Sequence, residues 1–319
     1  MKIINIEATV PESLAGKRLD KILAVLFPDY SRSRLQEWVK SGCVIVDDEI
    51  NISIKSKLVG GEQIKITTEL QEQENFEAED ICLDIIYEDE DIAVINKPVG
   101  MVVHPAAGNW SGTMLNGLLY RYPDSATVPR AGIVHRLDKD TSGLLVVAKN
   151  IETHKNLIEQ LQERTVSREY LALVNGYVTA GGTIDKNIGR HRHDRKKMAV
   201  VFDDEGKEAI THYRIEERLG DYTLIRAKLE TGRTHQIRVH MTHINHPLAG
   251  DQVYGGRLKL PAGISEDTKK ALREFKRQAL HAWKLGLDHP RTGEYMEWQT
   301  ELPEDMEKLL GILKMELTQ

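Results

Sequence analysis

The chain has 319 residues, of which 40% are hydrophobic and 29% are charged, and its formal net charge is −6. This length suffices for two domains, and the hydrophobic content excludes wholesale disorder. The acidic balance argues against a nucleic-acid-binding protein, because such domains are usually basic. The sequence has only two cysteines, which excludes a disulfide framework and a cysteine-rich zinc site and favours a reducing compartment.

Neither targeting nor membrane segments are predicted. The first residues lack the apolar core of a signal peptide, and no apolar run is long enough to cross a membrane. We therefore expect a globular protein of the cytoplasm.

The first predicted elements form a small ααβ domain, residues 1–68. A helix ends before Pro28 and carries apolar residues at helical spacing, namely Leu19, Ile22, Leu23 and Leu26. Ser31 or Ser33 caps a second helix, which ends at Gly42 and buries Leu35, Trp38 and Val39. Residues 44–46 and 63–66 have the composition of short strands.

The two predicted helices are rich in lysine and arginine. A basic helix face favours phosphates, although a solvated surface is the alternative from charge alone. Three short segments, 18–21, 31–34 and 42–46, give this block a resemblance to the S4 RNA-binding fold. The resemblance implies docking on structured RNA, for which the candidate contacts are Lys17, Arg18, Lys21, Arg32 and Arg34.

An acidic tract separates this block from the rest of the chain. From Thr67 to Asp91 there are 11 acidic residues and no lysine or arginine, so the other residues together carry +5. The early part of the tract, residues 69–80, lacks helical or strand periodicity and predicts an interdomain linker.

The second block, residues 81–319, is predicted to be an α+β domain. Residues 91–96 are apolar on both faces, as in a buried central strand, and residues 222–229 alternate as in a half-buried strand. His154, Leu157, Ile158 and Leu161 mark an amphipathic helix. Strands outnumber helices without alternating regularly with them, which indicates a mixed, largely antiparallel sheet.

Two histidine-containing segments were weighed as functional sites. His235, His240, His243 and His246 suggest zinc, but carboxylate and cysteine ligands at supporting spacing are missing, so we expect no metal. Residues 186–197 hold six basic residues and one acid, Asp194, and indicate a nucleic-acid loop that includes Arg190 and Arg192. A plain exposed loop is the alternative. No phosphate-binding glycine motif is present, so no nucleotide cofactor is expected.

The segment 132–143 combines two aspartates, cations and a glycine between two apolar stretches that we predict to be strands. An aspartate on such a rigid turn can attack an electrophilic carbon if a cationic neighbour keeps it ionised. From pattern alone, a turn of local salt bridges is the alternative.

This segment, read as His135-Arg136-Leu137-Asp138 followed by Thr141-Ser142-Gly143-Leu144, resembles the central motif of the RluA/RluD family of RNA pseudouridine synthases. Residues 87–105, 168–176, 229–240 and 246–256 are similar to further family segments in the same order. The resemblance covers nearly all of the second block, and an S4-like block in front is the arrangement of the RluD subgroup.

The resemblance implies the isomerisation of uridine to pseudouridine without a cofactor. The implied substrate is 23S ribosomal RNA of the large subunit, in the helix 69 stem-loop, free or in an assembling particle. We expect a monomer that binds this RNA and no membrane. The alternatives are an RNA-binding or ribosome-assembly protein that has lost catalysis, and a metal-dependent hydrolase built on the histidines.

The same resemblance assigns roles to individual residues. Asp138 is the catalytic aspartate, which attacks the sugar, attacks the base or abstracts a sugar proton. Arg238 pairs with Asp138, and Tyr170 stacks on the target base and assists removal of the C5 proton. Arg136 fills the space that the extruded uridine leaves or contacts the displaced base. Further candidates for phosphate or supporting contacts are Lys97, His104, Lys139 and Arg233.

Overall fold

The computed structural model describes residues 2–28, 30, 32–70, 76–106, 108–194, 197–202, 205–258 and 260–318. The chain forms two units, Met1–Asn75 and Phe76–Gln319. None of the helices in these ranges is both long enough and apolar enough to cross a membrane.

The first unit contains a four-stranded sheet and two helices. Its elements in chain order are β1 (Lys2–Thr9), a 3₁₀ turn (Glu12–Leu14), α1 (Leu19–Leu26), α2 (Arg32–Lys40), β2 (Val44–Val46), β3 (Glu49–Ile50) and β4 (Gln63–Leu70). The strand order is β1-β4-β2-β3, with antiparallel neighbours. Apolar side chains of both helices pack on the sheet to form one core, which includes Leu19, Ile22, Leu35, Val39 and Ile66.

Both predicted helices and the two predicted strands are present in this unit. The cap prediction for α2 is wrong at Ser33, because the helix already begins at Arg32; Ser31 lies outside the described residues. The sequence analysis missed β1. This strand is defined by pairing with β4, where Ile6 lies opposite Ile66, and no local pattern shows such a distant partner.

A buried acid joins the two helices of the first unit. The Asp20 carboxylate is fully buried and accepts hydrogen bonds from Arg18 at 3.0 Å, Arg32 at 2.5 Å and Gln36 at 2.9 Å. Burial raises the pKa of Asp20, but the bonds from Arg32 and Gln36 outweigh it and the net pKa is lowered. The two arginines remain partly exposed, so the same ion pairs hold their guanidinium groups at the surface.

The second unit contains a nine-stranded sheet, a two-stranded hairpin and five helices among the described residues. Its elements are β5 (Ile85–Glu88), β6 (Ile92–Lys97), α3 (Met114–Arg121), 3₁₀ turns (Pro123–Thr127 and Pro129–Gly132), β7 (Ser142–Ala148), α4 (Ile151–Glu163), β8 (Ser167–Asn175), β9 (Gly182–Asp185), β10 (Ile188–Arg190), β11 (Met198–Val200), β12 (Ile210–Leu219), β13 (Tyr222–Leu229), α5 (Gln236–His243), α6 (Glu266–Glu274), β14 (Leu280–Asp288), β15 (Tyr295–Gln299) and α7 (Glu304–Glu316).

The large sheet has the order β5-β6-β7-β14-β8-β13-β12-β9, and β15 pairs with β14. Among the described strands, only β7 and β14 run parallel, at Ser142–His281 and Gly143–Ala282. The prediction of an α+β fold with a mixed, largely antiparallel sheet is therefore confirmed. β10 and β11 form the separate hairpin.

Apolar residues cover both faces of the sheet, as predicted for residues 91–96. Ile95 and Leu145 pack on one face with α3, whereas Val94 and Val146 pack on the other with Leu157 of α4. Because successive residues of a strand point to opposite faces, a continuous apolar run marks a strand covered on both sides. The predicted strand at 222–229 and the helix with Leu157 are also observed, as β13 and α4.

The predicted linker, residues 69–80, spans three parts of the structure. β4 ends at Leu70, residues 71–75 lie outside the described residues, and residues 76–80 lie against α3. There the Asn116 side chain donates to the Glu77 carbonyl at 2.8 Å, and the Glu79 carboxylate accepts from the Gly112 amide at 3.0 Å.

Candidate active site

An open cavity of about 740 Å³ lies in the second unit. Its walls come from the turn before β7, from α4, from the start of β8 and from the segment between β13 and α5. The volume falls within the range of roughly 300–1,000 Å³ that is typical of ligand sites. Asp138, Tyr170 and Arg238, which are distant in sequence, all line this one cavity.

The turn that carries Asp138 begins without the predicted entering strand. Ile133 makes only an isolated bridge to Val147, so the strand prediction before the turn is wrong, whereas β7 leaves the turn as expected. At Gly132, φ is +81°, and a Cβ there would lie 1.8 Å from the Ala148 carbonyl oxygen. The turn therefore presses against β7 too closely for a side chain, and only glycine fits.

The buried side chain of Lys97 and the partly buried side chain of His135 hold the backbone around this turn. The Nζ of Lys97 donates to the carbonyls of Pro98, Met101 and Lys139, at 2.8, 3.0 and 2.9 Å. The Nε2 of His135 accepts the Val146 amide at 3.0 Å. Burial lowers the pKa of His135 to about 3, so the neutral ring can accept this bond.

The prediction that Lys97 contacts RNA needs correction. The residue is fully buried, and its ammonium is occupied by three carbonyl oxygens. Burial lowers the pKa of Lys97 to about 8. Lys97 thus supports the backbone around Asp138 and does not face an RNA phosphate.

Asp138 and Arg238 form the central ion pair of the cavity. The Nη1 of Arg238 donates to Oδ2 of Asp138 at 2.9 Å. The Asp138 side chain is 17% exposed, whereas that of Arg238 is 5% exposed, so the carboxylate lies between a buried cation and the open cavity. A guanidinium in this position fixes the direction of the carboxylate.

Arg238 is itself fixed by a second aspartate. Its Nε and Nη2 donate to the two oxygens of Asp251 at 2.7 and 2.9 Å. Asp251 is buried and also accepts the amides of Val253 and Tyr254. Burial lowers the pKa of Arg238, but the bonds to Asp251 and Asp138 outweigh it and raise the pKa above its usual range.

His235 approaches the other oxygen of Asp138. The Tyr254 hydroxyl accepts the Met198 amide at 2.8 Å and forms a hydrogen bond with Nδ1 of His235 at 2.8 Å. Nε2 of His235 lies 3.9 Å from Oδ1 of Asp138. Burial lowers the pKa of His235, so the ring is neutral at pH 7.

Tyr170 and Arg136 also line the cavity. Tyr170, on β8, is 7% exposed, and burial raises the pKa of its phenol, which is therefore protonated at neutral pH. Arg136 is exposed at the turn. A planar ring beside a carboxylate, with an exposed guanidinium at the opening, provides a surface on which a base can stack.

The other predicted RNA contacts lie in several places. Arg233 lines the cavity, and its Nε donates to the Glu208 carbonyl, while Lys139 is exposed on the turn. Arg190 ends β10, and the exposed Arg192 pairs with Glu205. His104 packs edge-on against Phe76 and lines the cavity. The basic S4-like residues belong to the first unit, and all of them are at least partly exposed.

The four histidines considered for zinc are dispersed. His240 bonds to Thr211 and the Lys186 carbonyl, His246 bonds to the Asn175 carbonyl, and His243 is exposed. In the described part of the chain, the group of three possible ligands that lies close together is elsewhere, at Asp89, Asp91 and His289. Protein hydrogen bonds already occupy that group, including Arg291 on Asp91 and Tyr87 on Asp89.

The sequence analysis gave no role to Asp251, Tyr254 or Arg168, although each falls in a segment that fits the family. Their partners in the structure are set by the fold: Asp251 meets Arg238, and Tyr254 meets His235. The one sequence signal for these three residues is that each is a polar residue within a segment similar to the family.

Known proteins were compared with the chain. Residues 91–243 match the RNA pseudouridylate synthase family model, and residues 17–64 match the S4 domain model. The "Ribosomal large subunit pseudouridine synthase D" of Haemophilus influenzae is 55% identical over 98% of this chain and 96% of that protein. Proteins with the same name from Escherichia coli K12 and Pseudomonas aeruginosa are 54% and 55% identical, each over 98% of this chain and over 95% and 97% of their own lengths.

Solved structures give the same result for the second unit. "Human RNA Pseudouridylate Synthase Domain Containing 4" superimposes with a TM-score of 0.58 at 25% identity, covering 72% of this chain and 93% of that one. "Human RNA Pseudouridylate Synthase Domain Containing 1" superimposes with a TM-score of 0.53 at 26% identity, covering 73% of this chain and 95% of that one. The family resemblance predicted from the motifs is confirmed, and the chain belongs to the RNA pseudouridine synthases, a family of isomerases, as a member with an S4 domain.

Proposed function

We propose that this protein converts uridine to pseudouridine in large-subunit ribosomal RNA, with Asp138 as the catalytic residue. The observation that carries this proposal is the Asp138–Arg238 ion pair, 2.9 Å long, in a cavity also lined by Tyr170. The full-length relatives named as large-subunit pseudouridine synthases support the choice of substrate.

The reaction rearranges atoms of the substrate and exchanges none. The bond between N1 of uracil and C1′ of ribose breaks, the base turns, and a bond forms between C5 and C1′. The proton on C5 then leaves, and N1 gains one. No electrons are transferred to or from the substrate, so the proposal includes no cofactor.

Each proposed residue acts at a defined place in this reaction. Asp138 attacks the sugar or the base, or removes a sugar proton, and each route needs the carboxylate that Arg238 orients. Tyr170 stacks on the uracil while the base turns and assists removal of the C5 proton; burial keeps its phenol neutral at neutral pH. Arg136, exposed at the turn, fills the helix position that the extruded uridine leaves, which lowers the cost of extrusion of a few kcal/mol.

We further propose that the target is the helix 69 stem-loop of 23S RNA and that the enzyme acts as a monomer in the cytoplasm. An S4-like domain of residues 1–68 docks on the RNA, residues 69–80 act as a linker, and residues 81–319 carry out catalysis. Mapping pseudouridines in cellular RNA with and without the protein tests the target directly.

The first test replaces the proposed catalytic residue by its isosteric amide. Asp138→Asn should lower the rate of tritium release from C5-labelled ribosomal RNA by roughly 10⁴-fold or more, because an amide can neither attack carbon nor accept a proton. RNA binding should be largely retained. Asp140→Asn is the matched control, since it removes the same charge two residues further along the turn.

Two results would contradict the proposal. Full activity of Asp138→Asn would exclude the proposed catalytic residue. A lack of tritium release from any ribosomal RNA by the native protein would favour the alternative of an RNA-binding or assembly protein without catalysis.

A further inference from the structure

Arg168 is a buried cation in the wall of the catalytic cavity. It lies on β8, two residues before Tyr170, and is 6% exposed. One guanidinium nitrogen, Nη2, donates to the Glu230 carbonyl at 3.0 Å, and Nε has no hydrogen-bond partner within the described residues. The neighbouring side chains that influence it are His135, Tyr170 and Arg233, and none of these is a carboxylate.

The other well-buried arginine of the cavity is compensated. Arg238 forms ion pairs with Asp138 and Asp251. Arg164, at the rim, pairs with Glu208 and Glu230. In contrast, no ion pair of Arg168 is found within the ranges that the structure describes. A buried charge without a counter-ion is destabilising, and a bound anion would offset that cost.

The segment between β13 and α5 packs closely on the guanidinium of Arg168. A Cβ at Gly232 would lie 2.8 Å from Nη1 of Arg168. Arg233 follows directly in this segment and is partly exposed. Arg168, Arg233 and Tyr170 all line the cavity.

We propose that Arg168, together with Arg233, binds a phosphodiester group of the RNA next to the target uridine. This inference rests on the proposed function, and it names a binding contact that the Asp138 mechanism does not include. A guanidinium offers two parallel donors to a phosphate, and the phosphate supplies the anion that Arg168 lacks. The contact fixes the ribose of the flipped nucleotide above Asp138.

The first experiment measures the salt dependence of RNA binding. The probe is a synthetic large-subunit stem-loop RNA, and its Kd is measured at a series of KCl concentrations. Arg168→Met should weaken binding about ten- to a hundred-fold at low salt and reduce the slope of log K against log[KCl] by about 0.7–0.9, which corresponds to one phosphate contact. Arg168→Lys should keep most of the slope, because it retains the charge.

The matched control is Arg226→Met on the adjacent strand β13. Arg226 is also largely buried, but it pairs with Glu216 and lies outside the cavity. This variant should lose stability without a change in the salt slope. An unchanged salt slope in a folded Arg168→Met protein would overturn the inference. If the alkaline limb of the pH–rate profile shifts and the salt slope does not, Arg168 acts on Tyr170, and this result would also overturn the inference.

A second experiment probes the same contact from the RNA side, beginning with the native protein. Replacing the phosphates on either side of the target uridine by neutral methylphosphonates should weaken binding to the native protein at least ten-fold. With Arg168→Met, in which the charge is lost, the same replacement should cost clearly less. An equal loss in both proteins, or no loss in the native protein, would overturn the inference.

The two proposals can fail separately. If the native protein forms no pseudouridine in any ribosomal RNA, the proposed function fails. If the native protein is active and the methylphosphonate costs nothing, only the role of Arg168 fails.

Discussion

Arg238 holds two carboxylates at once, and of these only Asp138 lines the catalytic cavity. Asp251 receives two of the three bonds and is anchored by two backbone amides, so it determines where the guanidinium points. In the proposed mechanism, Asp251 is thus a positioning residue, which acts on the reaction through Arg238. This separation of roles can be measured.

Asp251→Asn should lower kcat by about 10–100-fold with a smaller change in KM, because a misdirected Arg238 misplaces the Asp138 carboxylate. Asp251→Glu should restore part of the rate. The control is Asp91→Asn, which breaks a similar two-bond pair, with Arg291 at 2.7 and 2.8 Å, outside the cavity. Steady-state kinetics on folded proteins checks this, and equal losses in the two Asn variants would show a merely structural effect.

Two histidines with lowered pKa values make stability depend on pH. Burial lowers the pKa of His135 to about 3 and that of His281 to about 4, whereas an unfolded histidine titrates near 6.5. Between these values the unfolded chain binds more protons, so the free energy of unfolding should fall as the pH drops below about 6.5. The expected slope is about 1.4 kcal/mol per pH unit for each histidine.

Urea unfolding between pH 7.5 and 5 measures this slope above the range in which carboxylates titrate. His135→Gln keeps an acceptor near the Val146 amide but cannot titrate. The free energy of unfolding of this variant should therefore change less steeply with pH, by up to the contribution of one histidine. A native protein with constant stability from pH 7.5 to 5 would contradict the assignment.

At the scale of elements, the catalytic turn depends on how closely two backbones pack. Gly132→Ala should destabilise the second unit by about 3 kcal/mol or more and reduce activity, because the added Cβ would meet the Ala148 carbonyl at 1.8 Å. Gly293→Ala is the control, since it has a similar φ of +71° and nothing within 4 Å. That variant should cost about 1 kcal/mol. Equal urea midpoints for the two variants would refute the close-packing explanation.

Elements with a strong local pattern could be predicted from the sequence. The continuous apolar run of β6, the alternation of β13 and the helical spacing of α4 each appear where expected. β1 was missed because its structure depends on β4, and the strand expected before Asp138 is absent because Ile133 has only one bridge partner. Local patterns indicate local structure, but they do not show which distant strand a segment pairs with.

The site was predictable to the extent that residue type and motif specify it. Asp138, Tyr170 and Arg238 were named from the sequence, and the structure brings them to one cavity. Lys97 was misassigned because nothing in the sequence shows that three carbonyls surround its ammonium. The proposal for Arg168 rests on the lack of a counter-ion among the described residues, and the sequence cannot show this.

Over the whole molecule, the net charge of −6 is the sum of an acidic segment and a basic remainder. Residues 67–91 carry −11, and the remainder carries +5, with basic groups in the first unit and on the β10–β11 hairpin. Exposed lysines and arginines bind RNA phosphates in a salt-dependent way even in an acidic protein.

Lys17→Gln combined with Lys21→Gln should therefore weaken binding of a large-subunit stem-loop RNA. The slope of log K against log[KCl] should fall by the amount that corresponds to up to about two phosphate contacts. Both lysines are exposed on the first unit. A double variant of Lys269 and Lys308, on α6 and α7, removes the same charge elsewhere and serves as the control. Equal losses in the two double variants would indicate a general charge effect without a specific basic surface.

The order of strands in the large sheet has a consequence for the timing of activity during synthesis. β14 lies between β7, which follows the Asp138 turn, and β8, which carries Tyr170, yet it is translated long after both. The aspartate and the tyrosine reach their final separation only when β14 has left the ribosome and inserted between the two strands. The active site is thus completed near the end of translation, and a nascent chain stalled before residue 280 cannot modify RNA.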